Sequence, residues 1–200
     1  MTVRPIRYLG DPILRRPAKK VRKVEDSIRR LVDDMIESMI AAQGVGLAAP
    51  QIGVGLRIVV FNLPDEEPFA LINPSVARRS GQRRLESEGC LSVPGYRGAI
   101  TRSERVTVKA TNLEGKPVRV RAQDSLLAQA LEHEVDHVNG VLYVDRLDSP
   151  DDLFKLDGGG WSDSSPDGED TQAGESGDQR NAERDADAQR GSGVTSGGGP

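Results

Sequence analysis

The chain has 200 residues, with 27 Lys and Arg against 31 Asp and Glu, two histidines, one cysteine and only 4% aromatic residues. That length holds one ordinary domain and a tail, and a lone cysteine excludes an internal disulfide and fits a reducing compartment. No stretch reaches the roughly 18 apolar residues of a membrane span, and the first eight residues lack a secretory h-region, so a cytoplasmic protein with no membrane partner is expected. Charge divides the chain: residues 151–200 carry 12 acidic and 4 basic side chains, residues 1–150 carry 19 and 23, so a mildly basic body precedes an acidic tail.

Gly10–Pro17 reads as extended and turn-rich, because each proline disfavours helix in the residue before it. From Glu25 to Ala42 the apolar residues Ile28, Leu31, Val32, Met35, Ile36, Met39 and Ile40 recur at helical spacing, which predicts an amphipathic scaffold helix. A Gly-rich stretch, Gly44-Val45-Gly46-Leu47-Ala48-Ala49-Pro50-Gln51, follows. Strands are predicted at 57–62, 70–73, 105–111 and 118–122, the last two as a hairpin across Asn112-Leu113-Glu114-Gly115. A second helix is expected from a cap at Asp124 or Ser125 to Asn139-Gly140, then a short strand at 141–144. Beyond Pro150 the apolar pattern collapses and 11 of the 22 glycines gather. This predicts a disordered acidic Gly/Ser-rich tail over 151–200, apart from one helical turn near 151–156, and a metal-dependent domain over 1–150. Deleting 151–200 is then expected to leave activity intact.

Both histidines lie in His133-Glu134-Val135-Asp136-His137. At i and i+4 on one helix face their imidazoles can reach a single ion, with Glu134 beside them to handle the proton of a bound water. Asp136 sits where it could accept a hydrogen bond from a ligand histidine. Cys90, in Glu88-Gly89-Cys90-Leu91-Ser92, is the other soft ligand of the chain. A structural reading would make it a small buried hydrophobe. With two histidines it instead leaves a fourth tetrahedral position open, the mark of a catalytic site. Gly44-x-Gly46 lacks the lysine of a phosphate loop and the third glycine of a dinucleotide site, and reads better as a backbone edge approached by a ligand. Gln51 then supplies an amide donor for a developing oxyanion. The rival readings are a zinc endopeptidase, which Tyr143 in place of a third histidine disfavours, and a non-catalytic metal-stabilised binding module, which the presence of Glu134 and Gln51 disfavours.

Together, Gly44–Gln51, Glu88–Ser92 and His133–His137 resemble, in order and spacing, the three signature motifs of bacterial peptide deformylase. Asp11-Pro12-Ile13-Leu14 and Asn139-Gly140-Val141-Leu142 extend the resemblance over about residues 5–147. The resemblance implies an α+β fold of small antiparallel sheets packed around a central helix bearing the two histidines, with an N-terminal amphipathic helix. It implies removal of the formyl group from formyl-methionyl peptides, with Cys90, His133 and His137 as metal ligands and Glu134 as general base and acid. Gln51 and the Leu91 N–H would stabilise the oxyanion, the backbone of Val45, Gly46 and Gly89 would pair with the peptide, and Val45 and Leu126 would line the methionine pocket. The implied metal is Fe²⁺, with Ni²⁺ or Co²⁺ as substitutes, and a Cys-His₂ set also suits Zn²⁺. Two departures stand out. Glu132 replaces the usual Gln, adding negative charge near the helix surface. The acidic tail replaces the basic C-terminal helix through which some relatives dock on the ribosome, so any ribosome contact is expected through the basic body, without nucleic-acid sequence specificity.

Overall fold

The computed structural model describes residues 2–156; the expectation for the tail therefore lies outside the described residues from 157 onward. Helix α1, Asp26–Ala41, buries Leu31, Val32, Met35 and Met39 on one face and turns its charges outward. It stops where Gln43 takes a positive φ of 55° and the chain enters the Gly-rich stretch. Part of that stretch is a short buried strand, β1 (Gly46–Ala48), followed by a 3₁₀ turn over Ala49–Ile52.

Strand β2 (Ile58–Phe61) is buried along its whole length, hence the unbroken Ile-Val-Val-Phe run. Its alternate residues serve two cores. Ile58 and Val60 pack with α1, and Val59 and Phe61 pack with the second helix, α2 (Leu126–Val138). Strand β3 (Phe69–Ser80) follows, then β4 (Arg83–Gly89), β5 (Tyr96–Arg102), β6 (Arg105–Thr111) and β7 (Pro117–Gln123). Five strands form one antiparallel sheet in the order β1-β2-β3-β6-β7. A three-stranded sheet has the order β4-β5-β8, where β8 is Leu153–Lys155. The β6–β7 hairpin follows from strict alternation: Val106, Val108 and Ala110 face Val118, Val120 and Ala122 inward, against Leu131 and Val135 of α2. Its turn is closed by Asn112, whose side chain accepts from the N–H groups of Glu114 and Lys116.

Several expectations are corrected. Residues 141–144 do not form a strand; Tyr143–Arg146 is a 3₁₀ turn closed by the Asp145 carboxylate on the Leu142 N–H. The expected helical turn near 151–156 is instead a 3₁₀ turn over Pro150–Asp152 followed by β8, which pairs with Tyr96–Gly98 of β5. Strand β3 runs well past 73, because an irregularity between Ile72 and Ser75 takes in Pro74 and lets pairing with β6 resume at Ser75.

Candidate metal centre and active site

Each of the three sequence motifs is delivered by a different element. Cys90 follows β4, and Val93 N–H closes a turn onto its carbonyl. His133 and His137 face the same way from the buried side of α2, which Ser125 caps through its Oγ on the Ala128 N–H. Gln51 lies in the 3₁₀ turn after β1, where its Oε1 accepts from the Ala48 N–H at 2.8 Å. That bond orients the amide so that Nε2 faces Ser92 Oγ at 3.2 Å and Cys90 Sγ at 3.7 Å.

The potential ligand atoms of Cys90, His133 and His137 all lie within 4.8 Å of one another. Cys90 Sγ and His133 Nε2 each stand 3.2 Å from His137 Nε2. Three lone-pair donors converging this closely in a buried place repel unless something positive lies among them, so the donor set fits a cation. The rings are nearly perpendicular, at 70°, which aims two imidazoles at one point without stacking them. Glu134 is 3% exposed, and its Oε2 has no hydrogen-bond partner among the described residues. Burial pushes its carboxyl up to about 7.

A buried ion network stands behind the ligands. Burial opposes ionisation of Glu88, but hydrogen bonds from His133 and Arg102 outweigh it and hold the carboxyl near 2. Glu88 Oε1 lies 2.6 Å from His133 Nδ1, which sets that nitrogen as the donor and leaves Nε2 facing the centre. Arg102 is 4% exposed and grips Glu88 through two nitrogens at 2.6 and 3.1 Å and Asp136 through a third at 2.7 Å. Arg146 closes the network on Asp136 with two bonds of 2.6 Å. Burial opposes charge on His133, yet Cys90 and Glu88 draw its pKa up; burial and His133 drive that of His137 down.

A cavity of about 870 Å³ is lined by two of the three converging residues, Cys90 and His133. Val45, Gly46, Gly89, Leu91 and Leu126, each singled out in the sequence, line it together with Gln51 and Glu134. It lies beside β1 and β4, each at one edge of its sheet. Gly46 has no room for a side chain, since a Cβ there would sit 2.5 Å from Glu134 Oε1.

Two expectations about neighbouring residues change. Asp136 bonds two arginines, not a histidine, and Glu88 takes the histidine. Glu132 is not a surface charge: it is 4% exposed, accepts from Arg79 Nε at 2.5 Å and from Ser103 N–H at 2.8 Å. Glu88 and Arg102 were missed as functional positions. A usable signal existed for Glu88, because a strand residue two before Cys90 points to the same side of the strand. Tyr143 is buried with its ring 6.3 Å from that of His133, near the centre but outside the converging ligand set.

Comparison with known proteins agrees with this geometry. Residues 3–152 match the family model described as polypeptide deformylase. A peptide deformylase of Dehalococcoides mccartyi is 50% identical over 157 residues, covering 78% of this chain and 93% of that protein. One from Natranaerobius thermophilus is 43% identical over 148 residues, covering 74% and 94%. Among solved structures, a peptide deformylase from Legionella pneumophila superposes with a TM-score of 0.71 at 45% identity, covering 74% of this chain and 88% of that one. One from Synechococcus elongatus, in complex with actinonin, superposes with 0.72 at 39% identity, covering 76% and 84%.

Proposed function

The chain belongs to the polypeptide deformylase family, and we propose that Cys90, His133, His137, Glu134 and Gln51 run its reaction. The enzyme removes the N-formyl group from the formyl-methionine that begins nascent polypeptides and releases formate. Hydrolysis adds water across the formyl C–N bond, hydroxyl to carbon and proton to the departing amine nitrogen.

Members of the family are metal-dependent. A divalent ion held by Cys90 Sγ and the Nε2 atoms of His133 and His137 would make hydroxide available near neutral pH. We assign Fe²⁺ to this place, with Ni²⁺, Co²⁺ or Zn²⁺ able to substitute, because one thiolate and two imidazoles suit all four. Glu134 accepts the proton of the attacking water and passes it to the amine nitrogen, a role typically worth 10²–10⁴-fold. The Gln51 amide and the Leu91 N–H donate to the oxygen on which charge builds, the amide contributing about 3 kcal/mol. The peptide lies between the edges of β1 and β4 as an added strand, bonded to the backbone of Val45, Gly46 and Gly89, so main chain supplies affinity with little sequence choice. Val45 and Leu126 border the methionine side chain. The whole 1–150 region acts as the catalytic domain, with α2 as its central element and α1 as an outer amphipathic helix. We place the enzyme in the cytoplasm, with ribosome contact through its basic body; no described helix is long and apolar enough to cross a membrane.

The convergence of the three ligand atoms within 4.8 Å beside Glu134 carries this reading. Formate release from a formyl-Met tripeptide, by protein purified without oxygen, tests it. Wild type is expected to turn over, whereas Glu134→Ala folds, retains metal and loses at least about 100-fold in kcat. Equal turnover by the variant would refute the assignment of Glu134, and metal-replete wild type that binds peptide without releasing formate would refute the catalytic reading of the centre.

A further inference from the structure

Helix α1 covers the β1–β2 end of the five-stranded sheet, and the same face continues outward across β3, β6 and β7. Register fixes which side chains stand on it. Ser75, Lys109 and Arg119 form one cross-strand row, Arg78, Thr107 and Arg121 a second, and Ser80, Arg105 and Gln123 a third. Of these nine positions five are cationic and none is acidic. The nearest acidic residues in sequence, Glu104, Glu114 and Asp124, stand in the turns at the strand ends. Arg78, Arg105, Lys109, Arg119 and Arg121 are all exposed, and none takes part in an ion pair among the described residues.

Folding alone does not favour this arrangement. Lys109 and Arg119 are directly opposite in the ladder, and like charges so placed destabilise a sheet. With strands ~4.8 Å apart and ~3.4 Å per residue, the five charges fall within a patch of roughly 10 by 14 Å. Each charge then has a neighbour at or within about the ~8 Å screening length of physiological salt. A dense cationic patch flanked by Ser, Thr and Gln donors is complementary to phosphate oxygens. The face carries no aromatic side chain on which a single-stranded base could stack. Nor does it carry an apolar residue to enter a lipid interface. Those absences favour the backbone of a folded RNA over unpaired bases or a membrane.

We propose that the outer face of β3, β6 and β7 docks on the phosphate backbone of folded RNA, reading charge and not sequence. It rests on the reading of the substrate as a nascent polypeptide, which is still joined to an RNA-rich assembly when its first residue is exposed. The face is well placed for such a contact, since three residues after Gln123 the chain reaches Leu126 on the wall of the substrate cavity.

Full-length, metal-loaded enzyme is titrated with a labelled RNA stem-loop over a range of salt. Two double variants of the face, Lys109→Gln with Arg119→Gln and Arg105→Gln with Arg121→Gln, are compared with Arg29→Gln plus Arg30→Gln on α1. Each face variant is expected to reduce the slope of log affinity against log salt by about one to two and to weaken binding at low salt by at least about tenfold. The α1 control retains wild-type binding. All variants turn over a free formyl-Met tripeptide like wild type, and the Lys109/Arg119 variant melts no lower, because relieving their repulsion costs the fold nothing. Absent RNA binding, equal loss in the α1 control, or tighter binding to phosphatidylglycerol vesicles than to RNA would each overturn the proposal. Loss of tripeptide turnover by wild type would instead count against the catalytic reading, so the two failures are distinct.

Discussion

Gly46→Ala tests the active site where it is tightest. A Cβ added at this position meets Glu134 Oε1 at 2.5 Å and Glu134 Cγ and Cδ at 3.0 Å. Ordinary carbon contacts begin near 3.5 Å, so something must move by roughly 1 Å. Strand β1 cannot retreat, because Gly46 pairs with Phe61 and the neighbouring Leu47 and Ala48 are fully buried. The Glu134 carboxylate therefore yields. Displacing a reacting group by about 1 Å costs on the order of 100-fold, or roughly 2.7 kcal/mol of barrier. The same overpacking costs about 1–3 kcal/mol of stability, a fall of several degrees in Tm. Because the substitution leaves the proposed pairing of the Gly46 backbone with substrate intact, the loss should fall mainly on kcat and only weakly on KM, as read from formate release. Gly55→Ala is the control: a Cβ there meets nothing within 4 Å, and both activity and Tm should hold. A Gly46→Ala enzyme within about twofold of wild-type kcat, with unchanged Tm, would mean that Glu134 has room to move or does not carry the proton.

Arg102→Met removes the cation shared by Glu88 and Asp136, leaving two buried carboxylates with fewer partners. It should cost about 3–5 kcal/mol in a denaturant melt and weaken metal retention, since Glu88 also holds His133; a melt within about 1 kcal/mol of wild type would refute the role of the network. Truncation after Leu156 should leave kcat/KM and Tm unchanged. Truncation after Asp152 strips β8 from β5 and Leu156 from the cavity wall, and should lower Tm and raise KM, which corrects the expectation that 151–200 can be deleted without effect; identical behaviour of the two truncated chains would refute it.

Elements whose burial is one-sided were legible in the sequence, as was the wholly buried apolar run of β2. Helix α1 shows a 3.6-residue apolar stripe because only one face is covered, and β6 and β7 alternate because their outer face meets water. Strand β4 was missed for the opposite reason. Its Arg-Arg-Leu-Glu-Ser-Glu-Gly sequence is polar on both faces, and the one residue buried on it, Glu88, is a carboxylate serving an ion network. Strand β1 hid inside a Gly-rich stretch because its glycine makes room for Glu134, so a functional demand overrode strand propensity. The strand predicted at 70–73 stops short of β3, whereas the irregularity between Ile72 and Ser75 absorbs the missing donor of Pro74. Strand β8 lay where composition alone pointed to the start of the tail.

The site divides along the same line. Its candidate ligands were legible because imidazole and thiolate are scarce in this chain and helical spacing brings the histidines together locally. The groups that hold those ligands in place are ordinary residues far apart in sequence. Glu88 and Arg102 lie on neighbouring strands, and Arg102 reaches α2 only through the fold. Glu132 makes the point most sharply. Read alone, it is an extra negative charge beside a metal ligand. In the fold its carboxylate is held by Arg79 from the end of β3 and by the Ser103 N–H in the β5–β6 turn. A buried carboxylate with a cation and a backbone donor no longer acts as a loose charge; it ties α2 to both sheets one residue ahead of His133. The residue that looked like added negative charge near the helix surface is therefore a clamp on the helix that carries His133 and His137.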